Sequence, residues 1–436
     1  MRFRVRPIRQ LQGAAEVPGD KSVSHRAALL GALAEGVSEV QGYLEAEDCL
    51  RTLTAVQALG AEVTRKGPGH YRIAGGGLHG LSEPADVIDC GNSGTTARLL
   101  AGVLATQPYW TMLTGDASLR RRPMGRIAEP LRAMGATIVG RADGTRLPLA
   151  VRGAAPTRAG RYATPVASAQ VKSAILLAGL AAEAPVTVTE PAPSRDHSER
   201  MLRRFGARVA TGDCTVTLTP GPLRATAVAV PGDISSAAFL LVAGAVVGAG
   251  RVIVHRVGVN PTRTGVLDVL AAMGAGIETT NVADEGEPTA SLSVTAGALA
   301  PTTIGGPLLI PRLIDEIPVL AVAAAAAAGV TVVSDARELR VKESDRIAAL
   351  GRELARMGVA VEERADGMAI TGGRRLRGAA VASGGDHRMA MALAVAGLVA
   401  EGETIVDDVA CVATSFPAFA ETINALAGTT AITTEP

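Results

Sequence analysis

The chain of 436 residues has few cysteines, and none of them belongs to a CxxC pair. Cys49, Cys90, Cys214 and Cys411 lie far apart in the sequence. This spacing argues against a disulfide framework and against a zinc site, and it predicts reduced, buried thiols in a cytoplasmic protein. The chain begins Met1-Arg-Phe-Arg-Val-Arg6 with no apolar stretch behind it, so we predict no signal peptide.

Net charge and long apolar runs are also scarce. The formal net charge is +1, so bulk electrostatics favour neither a nucleic acid nor a membrane surface as a partner. The apolar run from Val319 to Val330 is too short to span a bilayer, and Asp315, Glu316 and Pro318 precede it. We therefore predict that this run is a buried core helix.

Lysine is rare where arginine is common. Only four of the 43 basic residues are lysines, namely Lys21, Lys66, Lys172 and Lys342. A GC-rich genome replaces lysine by arginine wherever either side chain serves. A remaining lysine is therefore either a leftover or a position that requires a compact ammonium group, which arginine cannot supply. The sequence leaves both explanations open for each lysine.

Motifs for the common cofactors are missing. The chain has no GxGxxG after a strand pattern, no HExxH and no Cys/His cluster, so we expect no dinucleotide and no metal. Gly19-Asp-Lys-Ser22 lacks the Gly-Lys-Ser/Thr order of a nucleotide-binding loop, so an NTP site is not expected either.

The sequence contains one pattern that occurs six times: a few polar residues followed by a stretch of small residues and leucine. The copies begin near Lys21, Asn92, Ser168, Asp233, Asp315 and Asp386. A helix that is apolar on most sides is buried on most sides. Its N-terminus, with unpaired N–H groups and the positive end of the dipole, is the part that can face a ligand. Several such helix starts directed at one cleft would form an anion site.

Each core helix is followed by a more polar helix and by strand patterns. Five of these second helices end before a glycine in the left-handed C-cap position, and the sixth copy, ending near Gly428, is degenerate. The five glycines are Gly60, Gly135, Gly206, Gly274 and Gly358. A period of roughly 65–80 residues is too long for a solenoid. The pattern thus predicts an α/β protein of six compact repeats.

The length of the chain and the six repeats favour two domains of three repeats each. The matching turns Pro18-Gly19-Asp20 and Pro231-Gly232-Asp233 are the expected breakpoints. We expect the N-terminal strand, Arg2 to Arg6, to join the C-terminal half. The predicted domains are then 1–20 with 232–436, and 21–231, with the active site in the cleft between them.

Charged residues cluster near the predicted helix starts. The cations are Lys21, Arg26, Arg122, Arg195, Lys342, Arg346 and Arg388, and the carboxylates are Asp315 and Glu343. Lys342 and Arg346 share one face if their segment is helical. Simpler explanations exist for some neighbours: Arg120 and Arg121 as surface charges, Asp315 and Asp386 as N-caps, His25 and His387 as ordinary polar residues.

Seven motifs resemble those of one enzyme family, in order along the chain. They are Lys21-Ser22-x-x-x-Arg26, Gly91-Asn-Ser-Gly-Thr95, Arg122-Pro-Met124, Ser168-Ala-Gln170, Asp315-Glu-Ile-Pro318, Leu339-Arg-Val-Lys-Glu-Ser-Asp-Arg346 and Asp386-His-Arg-Met-Ala390. With them the sequence resembles the 3-phosphoshikimate 1-carboxyvinyltransferases (EPSP synthases) over essentially its whole length. The last two motifs are highly specific.

The resemblance implies two inverse α/β barrel-like domains, each of three βαβαββ-type repeats, that close over shikimate 3-phosphate and phosphoenolpyruvate. It implies transfer of the enolpyruvyl group to the 5-hydroxyl with release of phosphate, and no cofactor. We expect a cytoplasmic monomer that binds no nucleic acid and no membrane.

The resemblance also implies roles for individual residues. Shikimate 3-phosphate is expected to bind Lys21, Ser22, Arg26, Ser168, Gln170, Arg195, Asp315 and Lys342. Phosphoenolpyruvate is expected to bind Lys21, Gly94, Arg122, Gln170, Arg346 and Arg388. The guanidinium groups of the three arginines suit carboxylate and phosphate. The reaction needs a base and an acid, and Asp315 and Glu343 are the available pair, with Lys21 assisting the departure of phosphate. By resemblance Asp315 accepts the hydroxyl proton and Glu343 protonates the methylene.

One position departs from the family pattern. Many members carry a lysine in Asn-Lys-Thr-Phe-Pro near the C-terminus, whereas here Ala413-Thr-Ser-Phe-Pro417 places Thr414 there. This leaves the phosphate of phosphoenolpyruvate with one fewer candidate cation. Together with Ser168-Ala-Gln-Val-Lys-Ser173 and Ser194-Arg-Asp-His-Ser198, the departure resembles the second bacterial class of the family.

Two other functions are compatible with parts of the sequence. A UDP-N-acetylglucosamine enolpyruvyltransferase has a similar fold, but its mobile loop usually carries a reactive cysteine, and the stretch from Thr114 to Arg122 contains none. Six α/β repeats could also form a ring-shaped clamp on DNA. Helices that line DNA should be basic along one face, whereas these carry charge at their heads.

Overall fold

The repeated pattern of the sequence corresponds to a repeated arrangement of strands and helices. The structure, a computed structural model, describes residues 1–284 and 286–436. None of the helices among these residues has the length and hydropathy needed to cross a membrane. The described chain forms mixed α/β structure throughout.

The strands are short and are numbered β1 to β25 in chain order. They are Arg2–Val5, Gly13–Glu16, Ala34–Gln41, Glu62–Gly67, His70–Gly76, Ile88–Asp89, Trp110–Thr114, Thr137–Gly140, Leu149–Arg152, Gly160–Ala163, Val186–Thr189, Arg208–Thr211, Thr215–Thr219, Leu223–Arg224, Ala227–Ala229, Arg251–Gly258, Gly276–Asp284, Pro288–Thr295, Thr303–Ile304, Gly329–Val333, Ala360–Glu363, Met368–Gly372, Ala380–Ala382, Thr404–Asp407 and Ile432–Glu435.

The helices of eight residues or more are numbered α1 to α12. They are Lys21–Leu33, Glu47–Ala58, Gly94–Leu104, Gly125–Ala133, Ala169–Gly179, His197–Arg204, Ile234–Val246, Gly265–Ala272, Ile317–Ala326, Arg346–Arg356, His387–Gly397 and Phe419–Ala427. Shorter helical turns span Leu119–Arg121, Arg141–Gly144, Ile310–Leu313, Arg337–Val341 and Val409–Thr414.

The chain divides into two compact units. The discontinuous unit comprises Met1–Pro18 and Gly232–Pro436, and the continuous unit comprises Gly19–Pro231. In the continuous unit the Asp20 amide donates to the carbonyl of Pro231 at 2.7 Å, and in the discontinuous unit the Asp233 amide donates to Pro18 at 2.8 Å. These two hydrogen bonds tie together, within each unit, the segments at which the chain enters and leaves it.

Each repeat builds one small mixed sheet. In the second repeat of the continuous unit the order is β6-β7-β9-β8. Strand β6 is parallel to β7, and β9 is antiparallel to both β7 and β8. The same order recurs in β10-β11-β13-β12 and β19-β20-β22-β21. The predicted strand–helix–strand–helix–strand–strand repeat is therefore confirmed.

The N-terminal segments complete two sheets of the discontinuous unit. Strand β1 lies between β24 and β25 and is antiparallel to both, so that Phe3 is opposite Val406 and Thr434. Strand β2 is parallel to β16. The first residues of the chain thus supply strands to repeats whose helices lie in the C-terminal half.

The odd-numbered helices form the cores, as their small-residue composition predicts. Nearly every residue of α1, α3, α5, α7, α9 and α11 is buried. Side-chain N-caps start several of them: Ser93 accepts the Thr96 amide at 3.2 Å, and Asp20 accepts the Val23 amide at 2.9 Å. A cap satisfies amides that the first turn leaves without a helical partner.

The even-numbered helices end as predicted. Gly60, Gly135, Gly206, Gly274 and Gly358 follow them with φ between +86° and +103°. Glycine adopts this conformation without the steric cost that a Cβ atom brings. The degenerate sixth copy keeps the feature, since Gly428 ends α12 with φ +64°.

Two predictions from the sequence need correction. The run from Val319 to Val330 is not one helix, because α9 ends at Ala326 and Val330 is 51% exposed in strand β20. The four cysteines are free, as predicted, but only Cys49 and Cys90 are buried, whereas Cys214 and Cys411 are partly exposed. The apolar composition of the run did not show where its helix ends. The spacing of the cysteines did not show which of them are buried.

Close helix packing makes Gly102 a test of the core. A Cβ atom built at Gly102 of α3 would lie 2.4 Å from the carbonyl oxygen of Ala174 in α5. Gly102→Ala should therefore force the helices apart and lower the free energy of unfolding by about 1–3 kcal/mol in urea denaturation. The matched control is Gly351→Ala in α10, where the nearest atom is 4.0 Å away. There, better helix propensity should leave stability unchanged or raise it by up to about 1 kcal/mol. Equal effects of both substitutions would contradict this packing.

Candidate functional site

The site residues predicted from the sequence fall into two groups, one in each unit. The continuous-unit cluster comprises Lys21, Ser22, Arg26, Gly94, Arg122, Ser168, Gln170 and Arg195. The discontinuous-unit cluster comprises Asp315, Lys342, Glu343, Arg346 and Arg388. Most of these residues lie at or just before the start of a helix, where amides and the positive dipole end are available.

Arg26 connects three helices of the continuous unit. Its side chain is buried, and its Nε donates to Ser198 Oγ at 2.7 Å. Its Nη2 donates to Ser173 Oγ at 2.8 Å, and its Nη1 donates to the carbonyl of Ser22 at 2.9 Å. These bonds bring the N-terminal parts of α1, α5 and α6 together, through Ser22, Ser173 and Ser198.

A buried chain of hydroxyl groups links the start of α1 to the start of α3. His25 Nδ1 lies 2.7 Å from Thr52 Oγ1, which lies 2.7 Å from Thr96 Oγ1. Thr96 Oγ1 in turn donates to Ser93 Oγ at 2.7 Å. Burial, and next the charge of Lys21, lower the pKa of His25 to about 3, so the ring is neutral at neutral pH. This environment supports the interpretation of His25 as an ordinary polar residue.

Lys21 forms an ion pair with a residue that the sequence did not single out. Its ammonium group contacts the carboxylate of Asp48 in the first turn of α2, and Asp48 is buried. Lys21 itself remains 20% exposed. The pair fixes the ammonium group near the start of α1 while part of the Lys21 side chain stays exposed.

Gly94 begins α3 beside two arginines. A Cβ atom at this position would lie 3.0 Å from Arg98 Nη1 and 3.4 Å from Arg122 Nη1. Arg98 Nη1 donates to Gln170 Oε1 at 2.7 Å, and Arg122 Nη2 donates to Asn92 Oδ1 at 2.7 Å. Thus Gly94, Arg122 and Gln170 are brought together, and Arg98 is the buried connection between them.

Asp315 is the centre of the discontinuous-unit cluster. Its Oδ1 lies 3.4 Å from Lys342 Nζ and 3.4 Å from Arg346 Nη1. Its carbonyl oxygen accepts a hydrogen bond of 3.2 Å from Arg388 Nη1. Two cations therefore contact the largely buried carboxylate of Asp315, and a third binds its backbone carbonyl.

The condition under which Lys342 and Arg346 would share a helical face, a helical segment between them, is not met. They do not share a helical face, because Lys342 is extended and α10 begins only at Arg346, with Asp345 as its N-cap. Their common partner Asp315 brings them together instead. The spacing of four residues suggested that the helix includes both residues, whereas the N-cap Asp345 makes it begin at Arg346.

Arg346 is a fully buried guanidinium held by carboxylates. Its Nε donates to Asp386 Oδ2 at 2.8 Å, and its Nη2 donates to Glu343 Oε2 at 2.8 Å. Burial alone would raise the pKa of Asp386, but the charge of Arg346 outweighs it and holds that pKa below its ordinary value. Asp386 also accepts the Arg388 amide at 3.0 Å, so it is both an N-cap and an ion-pair partner.

Asp315 is not an N-cap. Helix α9 begins at Ile317, and its N-cap residue is Glu316, whose side chain makes no capping hydrogen bond. The Asp315 carboxylate instead faces the cations of the cluster. This outcome favours the chemical interpretation of Asp315 over the structural one.

Three positions complete the comparison with the sequence. Ser168 is the N-cap residue of α5, and its amide donates to Glu190 Oε1 at 3.0 Å. Arg195 is partly buried in the segment before α6. Thr414, where many relatives carry lysine, donates its hydroxyl to the carbonyl of Cys411 at 2.7 Å, so the side chain at this position is neutral.

Sequence reasoning missed several residues that hold the site. Arg98 had a signal, since it is a charged residue inside an otherwise apolar core helix, and Lys172 in α5 had the same one. Asp48 and Glu190 had none, because their partners Lys21 and Lys172 are distant in the sequence. Among the described residues no group of His, Cys, Asp and Glu has the arrangement of a metal site.

A family model described as EPSP synthase (3-phosphoshikimate 1-carboxyvinyltransferase) matches residues 5–423. The chain belongs to the EPSP synthase family. Curated relatives named 3-phosphoshikimate 1-carboxyvinyltransferase support this: the one from Gloeobacter violaceus is 57% identical over 96% of this chain and 97% of its own length. The relative from Desulforamulus reducens is 51% identical over 97% of this chain and 99% of its own length.

Solved structures agree with the sequence relatives. An EPSP synthase from Acinetobacter baumannii has a TM-score of 0.89 and 43% identity, with both chains covered completely. The two-domain α/β fold implied by the resemblance is confirmed, and so is the resemblance itself. The comparisons support EPSP synthase and not the UDP-N-acetylglucosamine enolpyruvyltransferase considered as the alternative.

Proposed function

We propose an assignment of the two clusters to the steps of the EPSP synthase reaction. The chain transfers the enolpyruvyl group of phosphoenolpyruvate to the 5-hydroxyl of shikimate 3-phosphate and releases phosphate. The observation that carries the assignment is the group of three cations, Lys342, Arg346 and Arg388, around Asp315, with Glu343 bound to Arg346. Both substrates are multiply anionic, and this cluster combines their natural counterions with two carboxylates for proton transfer.

Phosphoenolpyruvate is assigned to arginines of both clusters. Arg122 lies beside Gly94 in the continuous unit, and Arg346 and Arg388 meet at Asp315 in the other. Guanidinium groups bind carboxylate and phosphate through paired N–H groups, which also orient the ligand. Lys21 and Gln170 complete this set. The assignment thus takes residues from both clusters for one reaction.

Shikimate 3-phosphate is assigned chiefly to the serine and arginine groups of the continuous unit. Ser22, Arg26, Ser168, Gln170 and Arg195 supply hydroxyl, amide and guanidinium donors. The bonds of Arg26 to Ser22, Ser173 and Ser198 hold these segments in place before a ligand binds. Lys21, Asp315 and Lys342 are assigned to the same substrate nearer the reacting hydroxyl.

The addition step requires two proton transfers in opposite directions, and the elimination of phosphate requires a third. The 5-hydroxyl loses a proton as its oxygen bonds to the substituted carbon of phosphoenolpyruvate, and the methylene carbon gains one. Because the product keeps its vinyl group, a methyl proton leaves again as the carbon–phosphate oxygen bond breaks. Asp315 is assigned to the hydroxyl proton, Glu343 to the methylene, and Lys21 to the departing phosphate.

The oligomeric state and the cellular location of the protein are also proposed. We propose a monomer in the cytoplasm that binds neither nucleic acid nor membrane. The free cysteines fit a reducing compartment, and the net charge of +1 offers no bulk attraction to a polyanion.

Glu343→Gln tests the acid assignment. The amide keeps the shape of the side chain but cannot deliver a proton, so we expect kcat to fall by about 10²–10⁴ with modest changes in KM. The control is Glu401→Gln, which alters an exposed ion pair with Arg375 in the same unit and should leave kcat unchanged. A Glu343→Gln enzyme within threefold of the wild type would refute the role of Glu343.

Gly94→Ala tests the placement of Gly94 at the phosphoenolpyruvate site. In the family the herbicide glyphosate occupies this site and is longer than phosphoenolpyruvate, so we propose that the protein is inhibited by it. The added methyl group would press on Arg98 and Arg122 and cost glyphosate about 1–3 kcal/mol, or at least tenfold in affinity. The ratio of the inhibition constant to the KM of phosphoenolpyruvate should rise accordingly. Gly351→Ala should leave this ratio as it is, and an unchanged ratio in Gly94→Ala would place Gly94 away from the site.

A further inference from the structure

The continuous unit contains a buried cluster of three charges that the assigned mechanism does not use. Lys172 of α5 is 3% exposed, and its Nζ lies 2.8 Å from Glu190 Oε2 and 2.8 Å from Glu199 Oε1. Both glutamate side chains are similarly buried. One ammonium group thus joins three elements: α5, the segment after β11, and α6.

Stability alone is a weak reason for such a cluster. Removing three charged groups from water has a large desolvation cost that offsets much of their attraction, and apolar residues of similar volume often stabilise as well. Burial lowers the pKa of Lys172, but the charges of Glu199 and Glu190 outweigh burial and leave it above its ordinary value. The ammonium group therefore stays protonated between the two carboxylates.

The cluster is bonded to two segments that carry assigned ligand residues. Glu190 Oε1 accepts the amide of Ser168 at 3.0 Å, and Glu190 Oε2 accepts the hydroxyl of Ser194 at 2.9 Å. Lys172 Nζ also lies 3.4 Å from the carbonyl of Ser194, the residue before Arg195. One carboxylate therefore fixes both the start of α5 and the segment that presents Arg195.

The neighbours of the cluster in the sequence make a second connection. Ser173, next to Lys172, and Ser198, next to Glu199, have their hydroxyl oxygens 2.6 Å apart. Both accept hydrogen bonds from Arg26. The buried charges and the Arg26 bonds therefore hold the same two helices, α5 and α6, from adjacent positions.

We propose that Lys172, Glu190 and Glu199 form a positioning cluster that sets the shikimate 3-phosphate end of the site by holding Ser168 and Arg195. The cluster is built around a single nitrogen, because Lys172 Nζ contacts both carboxylates and the Ser194 carbonyl, whereas a guanidinium spreads its donors over three nitrogens and would require these partners to move. This accounts for a lysine at position 172 in a chain in which only four of the 43 basic residues are lysines. The proposal rests on the assignment of Ser168 and Arg195 to that substrate.

The test is a split between the two KM values. Lys172→Met and Lys172→Arg should each raise the KM of shikimate 3-phosphate by about tenfold or more. The KM of phosphoenolpyruvate and kcat should stay within about threefold of the wild-type values, because the residues assigned to phosphoenolpyruvate and to proton transfer do not touch the cluster. Lys66→Arg, at an exposed lysine of β4, is the matched control and should change neither KM.

Glu190→Gln keeps the experiment decisive if the Lys172 variants do not fold. The amide preserves the shape but has one acceptor oxygen for the bonds that Glu190 makes to Ser168 and Ser194. A folded Glu190→Gln enzyme should also show a selective rise in the KM of shikimate 3-phosphate. Unchanged KM values, or equal rises for both substrates, would overturn the positioning role. A wild-type protein that does not consume the two substrates would instead refute the proposed function.

Discussion

The structure depends on the burial of six helices on nearly all sides. Small residues permit this, as the approach of α3 to α5 at Gly102 shows, and the few polar groups inside these helices, such as Arg98 and Lys172, are bonded to other side chains. The N-termini are the parts best suited to bind an anion, because their first amides have no helical partner. The helices therefore act as a scaffold whose ends, at Lys21, Gly94 and Arg388, present the chemistry.

Much of this was predictable from the sequence because it follows from local rules. The small-residue bodies predicted core helices, and glycines such as Gly60 predicted left-handed helix ends that the structure contains. Long-range pairing was not predictable in the same way. Nothing near Asp48 indicates that it meets Lys21, and the spacing of Lys342 and Arg346 suggested a shared helix where a shared partner, Asp315, is responsible.

Buried charges are the second feature that local patterns could not supply. Arg346 with Asp386 and Lys172 with two glutamates both lie where neither partner can reach water. Each ion pair is bonded further to a residue assigned to a substrate, Glu343 in one unit and Ser168 in the other. In both units, buried ion pairs with a desolvation cost thus occur where the geometry of substrate-binding side chains must be fixed before ligands bind.

The most direct measurement of the central claim is the release of phosphate by the purified wild-type protein. Reactions would contain phosphoenolpyruvate and shikimate 3-phosphate together, each alone, and phosphoenolpyruvate with UDP-N-acetylglucosamine. Enolpyruvyl transfer predicts phosphate only when phosphoenolpyruvate and shikimate 3-phosphate are both present, with one molecule of enolpyruvyl product for each phosphate released. Phosphate from phosphoenolpyruvate alone, or with the UDP-sugar in place of shikimate 3-phosphate, would contradict the account.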